Sequence, residues 1–153
     1  MLADAFTATP EALVSRYPEA IAHPRLHQRT RSDDLADHLT LGSPRIVAAR
    51  EHLFLEGDSA THVYWVESGH VCIYRMVADG RRQVLDFAYP GDIIALGAGA
   101  RHAANAQATT KTRIRCISVH MLHEIARHDA KVGLKLYEAL SRELLAAREL
   151  LYT

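Results

Sequence analysis

The chain of 153 residues is poor in cysteine and has no net charge. Its two cysteines, Cys72 and Cys116, do not form a Cys-x-x-Cys pair, so nothing supports a thiolate zinc or iron–sulfur site. Few cysteines also fit a reducing compartment, and we expect a cytoplasmic protein. No stretch of about 18 apolar residues could cross a membrane, and residues 1–4 do not begin a secretion signal. We therefore expect no membrane association.

The charges balance, with 18 basic and 18 acidic residues. Because binding to duplex DNA depends on neutralising phosphates, this chain is not expected to bind DNA by itself. A hydrophobic content of 48% and a charged content of 24% are typical of a globular protein. The length suits a single domain with a substantial core.

Residues 69–92 have the pattern of a β-hairpin. Apolar residues alternate in its two halves, as expected for paired strands: Val71, Ile73 and Val77, then Leu85, Phe87 and Tyr89. Asp79-Gly80 lies between the halves and predicts a type I′ turn, in which both central residues have positive φ. Pro90-Gly91-Asp92 predicts the end of the second strand, since proline cannot donate to a ladder.

The pattern divides the chain into three parts. Residues 1–43 are expected to form a helical lead-in, ending in a helix that begins at Ser32 or Asp33 and is stopped by Gly42 and Pro44. Residues 44–118 contain short strands with evenly spaced turns, which favours an antiparallel barrel or jelly roll. Residues 119–153 are predicted to form a short helix over 119–128 and a long helix over 129–151. The expected fold is therefore mainly β with flanking helices.

The long helix carries an apolar stripe. Its members recur at spacings of four, four, three and four residues, which places them along one side of a helix: Leu136, Leu140, Leu144, Ala147 and Leu151. A companion stripe contains Leu134, Tyr137, Leu145 and Arg148. We expect one face to pack on the β domain and another on a partner helix, and we predict a homodimer through the first stripe.

The turns also occur in a recognisable order: Glu56-Gly57-Asp58, Glu67-Ser68-Gly69, Asp79-Gly80 and Pro90-Gly91-Asp92. With these motifs, residues 40–153 resemble the sensor part of the bacterial Crp/Fnr transcription regulators, most of all the FixK-like and Fnr-like branches. The resemblance implies a cyclic-nucleotide-binding-like β-roll followed by a dimerisation helix. In that family a helix-turn-helix domain then binds DNA. No such pattern follows here, and we expect a truncated regulator or a natural single-domain relative.

The resemblance also implies a ligand site. The family holds a cyclic nucleotide with a Gly-Glu…Arg-Ser-Ala cassette, in which the arginine and a helix start bind phosphate and the glutamate binds ribose. Here Ala95-Leu96 and His102-Ala103-Ala104 occupy those positions. The degenerate cassette therefore comprises Leu96, Gly97, Gly99, Arg101, His102 and Ala103. Because leucine cannot accept a hydrogen bond and histidine is a weaker anion partner, conventional cAMP or cGMP binding is not expected. The small-molecule effector is not predictable.

The alternative is a stand-alone β-roll that binds a small ligand, haem or a metal. A cupin-like enzyme would need a His-x-His on one strand, and the sequence has none. Haem ligation would draw on Cys72, His70 or His102. His120 and His123 share a helical face, but two ligands make a weak metal site. We expect no metal, no cofactor and no enzymatic activity.

Overall fold

The computed structural model describes residues 36–152, which form two four-stranded antiparallel sheets and three helices. The elements are α1 (Ala36–Leu39), β1 (Ser43–Val47), β2 (His52–Phe54), β3 (His62–Ser68), β4 (Val71–Met76), β5 (Arg82–Ala88), β6 (Ile93–Ile94), β7 (Asn105–Ala108), β8 (Thr112–Ser118), α2 (Val119–His128) and α3 (Ala130–Tyr152). One sheet has the order β1-β8-β3-β6 and the other β2-β7-β4-β5. This arrangement confirms the predicted β-roll with a long C-terminal helix.

Most predicted boundaries are within two residues of those in the structure. The last strand ends at Ser118, where the strand region was predicted to end, and the helix at 119–128 begins and ends where the sequence pattern placed it. The first strand begins at Ser43, one residue before the predicted start of the strand region at residue 44, because its whole length pairs with β8 from Ser43–Cys116 to Val47–Thr112. The expected helices before residue 36 lie outside the described residues.

The hairpin turn differs from the prediction. Gly80 has a φ of 84°, whereas Asp79 is not among the residues with positive φ. The amide of Gly80 donates to the carbonyl of Val77, and the amide of Val77 donates to the carbonyl of Arg81, both at 2.9 Å. The loop therefore contains three residues rather than two. A three-residue loop needs positive φ only at its last residue, so the type I′ prediction was wrong.

The first hydrophobic core lies between the two sheets. It is built from strand residues that face inward, among them Val47, Val66, Val71, Ile73, Ala106 and Ile114. Phe54 and Tyr64 complete it at one end, with ring centroids 5.6 Å apart. Each of these side chains is at most 9% exposed. Burial of this apolar surface is the main force that holds the sheets together.

The second hydrophobic core joins the outer face of the β1-β8-β3-β6 sheet to the helices. Its buried members are Leu39, Val63, Ile93, Ile117, Leu122 and Val132. The hydroxyl of Ser118 caps α2 by accepting a 3.0 Å hydrogen bond from the amide of Met121. Asp129 separates the two helices, and its carboxylate accepts from the amide of Lys131 at 3.0 Å. These contacts fix the start of α3 on the β-roll.

Candidate functional site

The corner at Pro90-Gly91-Asp92 delivers the chain to the candidate site. The carboxylate of Asp92 accepts a 2.8 Å hydrogen bond from the amide of Tyr89. The amide of Gly91 donates to the carbonyl of Val66 at 2.8 Å, and the amide of Val66 donates to the carbonyl of Asp92 at 3.0 Å. Gly91 has a φ of 94°, which suits glycine. The corner is therefore fixed both to itself and to β3.

The ten residues after β6, loop 95–104, contain no helix. Ala95 has a φ of 69°, and the amide of Ala98 donates to the carbonyl of Ala95 at 3.2 Å in a single turn. A helix start would offer several free amides to a phosphate. Within the described residues, the loop at the cassette position does not provide one.

The first half of loop 95–104 lies beside α3. Leu96 is half-buried and packs on the second core, as does Leu136 of α3. A Cβ added to Gly97 would lie 3.4 Å from Cδ2 of Leu140 and 3.3 Å from Oε2 of Glu143. Leu96 thus serves as a packing residue at the position that the family resemblance predicted for the ribose-binding glutamate.

The second half of loop 95–104 pairs with the β2–β3 loop. Arg101 forms an isolated antiparallel bridge with Ser59, and the amide of Ala60 donates to the carbonyl of Ala100 at 3.0 Å. The exposed side chain of Arg101 donates from Nη1 to the carbonyl of Gly57 at 2.7 Å. This guanidinium binds the protein backbone.

His102 lies in the interior. Its side chain stacks on the ring of Phe54, with centroids 3.6 Å apart and an angle of 9° between the planes. The residue is 4% exposed. Burial lowers the pKa of the imidazole, and the carboxylate of Asp58 opposes this lowering. The neutral ring is therefore favoured at pH 7, and a neutral ring is a poor partner for a phosphate.

The structure places the six predicted cassette residues in different surroundings. Leu96 and Gly97 lie beside α3, whereas Arg101 and His102 contact residues 54–59. Gly99 and Ala103 are exposed, and a Cβ on Gly99 would meet no atom within 4 Å. Phe54, the aromatic partner of His102, was not among the predicted site residues. Its position two residues before Glu56-Gly57-Asp58 was the available signal.

The other candidate ligands have ordinary packing roles. Burial raises the pKa of the Cys72 thiol to about 12, so it is not a thiolate at neutral pH. The ring of His70 packs edge-on against Tyr89 at 5.3 Å, and burial lowers its pKa. His120 and His123 are exposed on α2. Between residues 36 and 152, no group of three or more His, Cys, Asp or Glu residues could hold a metal ion.

The predicted dimer stripe divides along α3. Leu136 packs on the second core of its own chain, near the buried Val132. Leu140 and Leu144 are 40% and 53% exposed. The side chains of Ala147 and Leu151 lie outside the described residues. Three further apolar side chains of α3 are exposed: Leu134, Tyr137 and Leu145.

A family model for the cyclic nucleotide-binding domain matches residues 44–129, more than half of the chain. The chain belongs to this family. It is similar to the nitrogen fixation regulation protein FixK of Rhizobium meliloti (34% identical over 90 residues, 57% of this chain and 43% of that protein). It is also similar to FixK of Azorhizobium caulinodans (32% over 109 residues, 71% and 44%). The chain thus spans less than half of either relative.

Solved structures agree with this family assignment. FixK2 from Bradyrhizobium japonicum superposes with a TM-score of 0.65 at 31% identity, over 71% of this chain and 55% of that one. A transcriptional regulator from Thermotoga maritima has a TM-score of 0.71 at 20% identity, over 78% and 95%, and supports the fold alone. The resemblance to the FixK-like branch of the Crp/Fnr regulators is confirmed. These relatives are named as regulators, in agreement with the prediction that this member is not an enzyme.

Among residues 36–152, no helix is long and apolar enough to span a membrane.

Proposed function

We propose that this chain is the regulatory and dimerisation module of a Crp/Fnr-type transcription regulator that acts in the cytoplasm. The observation that carries the proposal is the apolar face of α3. Tyr137, Leu140 and Leu144 are 67%, 40% and 53% exposed. They project within about 60° of one another around a helix that turns 100° per residue.

A second copy of the chain is the expected partner for this face. The neighbouring side of α3, about 100° around the helix, is already used, since Val132 and Ala139 are buried and Leu136 packs on the second core. Identical helices with a continuous apolar stripe pair readily about a two-fold axis. In the proposed regulator, this pairing sets the positions of two DNA-binding domains, so DNA is bound through a helix-turn-helix domain and not through the β-roll.

The module is not proposed to bind cAMP in the conventional way. Leu96 packs among apolar residues, His102 stacks on Phe54, and Arg101 donates to a backbone carbonyl. Leu96 has no acceptor for a ribose hydroxyl and the neutral ring of His102 is a poor partner for a phosphate, while one N–H of the exposed Arg101 guanidinium is already taken by the carbonyl of Gly57. The signal would then reach α3 by another route through the β-roll.

Sedimentation of the purified chain tests the dimer. We expect a dimer with a Kd below about 10 µM. Leu140→Glu and Leu144→Glu should each weaken it at least about tenfold, because a charge would be buried in the helix pair. Leu41→Glu is the matched control, since Leu41 is 66% exposed on a turn far along the chain from α3. A wild-type chain that stays monomeric at about 100 µM would contradict the proposal.

A further inference from the structure

The end of the β-roll beneath loop 95–104 is occupied by a side chain of the protein itself. Two loops cross between the sheets there: the β2–β3 loop and the β6–β7 loop. Between them the imidazole of His102 stacks on Phe54, which belongs to the core between the sheets. We propose that His102 is a built-in ligand, a planar group that fills the sensor site permanently and holds loop 95–104 against α3. The regulatory role of His102 rests on the function proposed above, whereas the occupation of the site by its ring does not.

The backbone of His102 is fixed so that its ring must point inward. Its amide donates to the carbonyl of Asp58, and its carbonyl accepts from the amide of Gly57, both at 2.9 Å. Two further contacts lie beside these hydrogen bonds: the Ser59–Arg101 bridge and the hydrogen bond from the amide of Ala60 to the carbonyl of Ala100. Adjacent positions of an extended segment face opposite sides. Arg101 is accordingly exposed and His102 is buried.

The ring makes the contact expected of a bound planar ligand. Its plane lies within 9° of the plane of Phe54, at 3.6 Å between centroids. At this separation the two rings overlap almost face to face, and the contact removes apolar surface of both rings from water. The hydrogen bonds that position His102 are made by its backbone. A flat ring is therefore expected to suffice at this place, whether or not it can carry a charge.

The same loop reaches the long helix. Six residues before His102, Leu96 packs on the second core with Leu136. Gly97 follows, and its backbone approaches Leu140 so closely that an added Cβ would be 3.4 Å from Cδ2. Leu140 belongs to the exposed face assigned to the partner helix. Loss of the stacked ring would release one end of a segment whose other end supports that face.

Chemical rescue tests the occupancy. His102→Gly should lower the melting temperature by about 5 °C or more, because it leaves a cavity next to Phe54. Imidazole at about 50 mM should restore at least half of this loss. Acetamide, which is polar but has no aromatic ring to fill the cavity, should not. Ala98→Gly, an exposed position in the same loop, controls for the backbone freedom of glycine and should show no imidazole effect. Failure of imidazole to stabilise His102→Gly more than the control would overturn the proposal.

A second pair of variants covers the case in which His102→Gly does not fold. His102→Phe keeps a flat ring and should melt within about 2 °C of wild type, whereas His102→Leu fills the volume without a plane and should melt lower. Equal melting temperatures for the two variants would overturn the requirement for a ring.

Sedimentation of the same variants tests the link to α3. His102→Gly should weaken the dimer at least about threefold, and imidazole should reverse this change. An unchanged dimer Kd together with a rescued melting temperature would overturn the link between His102 and α3. It would leave intact the proposal that the ring of His102 fills the site. A monomeric wild type would instead contradict the proposed function, and the rescue of the melting temperature would still report on the built-in ligand.

Discussion

The corner at Pro90-Gly91-Asp92 and loop 95–104 follow each other in the chain, yet different forces hold them. The corner is closed on itself by a contact of near neighbours, between Asp92 and the amide of Tyr89, and backbone hydrogen bonds with Val66 tie it to β3. Loop 95–104 is held by distant residues: Leu96 packs on the same core as Leu136, and His102 stacks on Phe54. A locally closed turn keeps its shape when its surroundings change. A loop held by residues distant in the sequence takes the shape that those residues impose. Such a loop can lose a ligand site while the rest of the family fold is kept.

The largest effect is expected at the corner. Asp92→Ala should lower the free energy of unfolding by about 2–3 kcal/mol, because the amide of Tyr89 loses its acceptor in a site that is 5% exposed. Urea unfolding measures this loss. Asp92→Asn is the control, since its amide oxygen can still accept the bond. If the alanine variant loses less than about 0.5 kcal/mol, local closure does not hold the corner.

A smaller effect, dependent on pH, is expected in the loop. Burial holds the pKa of His102 below the usual value for histidine. The unfolded state therefore takes up a proton at a higher pH than the folded state does. The resulting stabilisation is present above pH 6.5 and is lost as the pH falls through the lowered pKa.

His102→Phe isolates this contribution, because His52 and His70 also have pKa values lowered by burial and act in the same direction. Between pH 7.5 and 5, the stability of the phenylalanine variant should fall less steeply than that of wild type. Two parallel curves would show that the His102 imidazole does not change its protonation on unfolding.

The smallest change in stability is expected at two glycines, each of which has open space around an added Cβ. Gly91 has a φ of 94°, so Gly91→Ala should cost about 1 kcal/mol. Gly99 is not among the glycines with positive φ, and Gly99→Ala should change the stability by less than about 0.5 kcal/mol. Thermal unfolding of the two variants provides the comparison. Equal costs would contradict the distinction between a corner that needs glycine and a loop that does not.

The same contrast explains which parts were readable from the sequence. The strands follow from alternation and turn glycines, and Val119–His128 follows from a helical pattern after the last strand. The hairpin turn at Asp79-Gly80 was misassigned, because two-residue and three-residue loops share the same Asp-Gly signal. The family resemblance also predicted that Leu96 and His102 stand at the cassette positions of a glutamate and an arginine.

The packing partners of Leu96 and His102 could not be predicted from the sequence. His102 and Phe54 are 48 positions apart in the sequence, and no local pattern pairs them. The sequence likewise did not show which leucines of α3 are buried and which are exposed, since Leu136, Leu140 and Leu144 follow one another at the same spacing. Leu136 contacts the second core while the other two are exposed, and this depends on how far the β-roll extends along α3.

Calorimetric titration of the purified chain with cAMP tests most directly whether loop 95–104 has given up the nucleotide site. With Leu96 in the second core and His102 stacked on Phe54, we predict no binding tighter than about 1 mM. The same titration with cGMP should also give no signal. A Kd in the micromolar range for either nucleotide would show that the loop opens to a conventional site, and it would contradict the loss of nucleotide binding proposed for this chain.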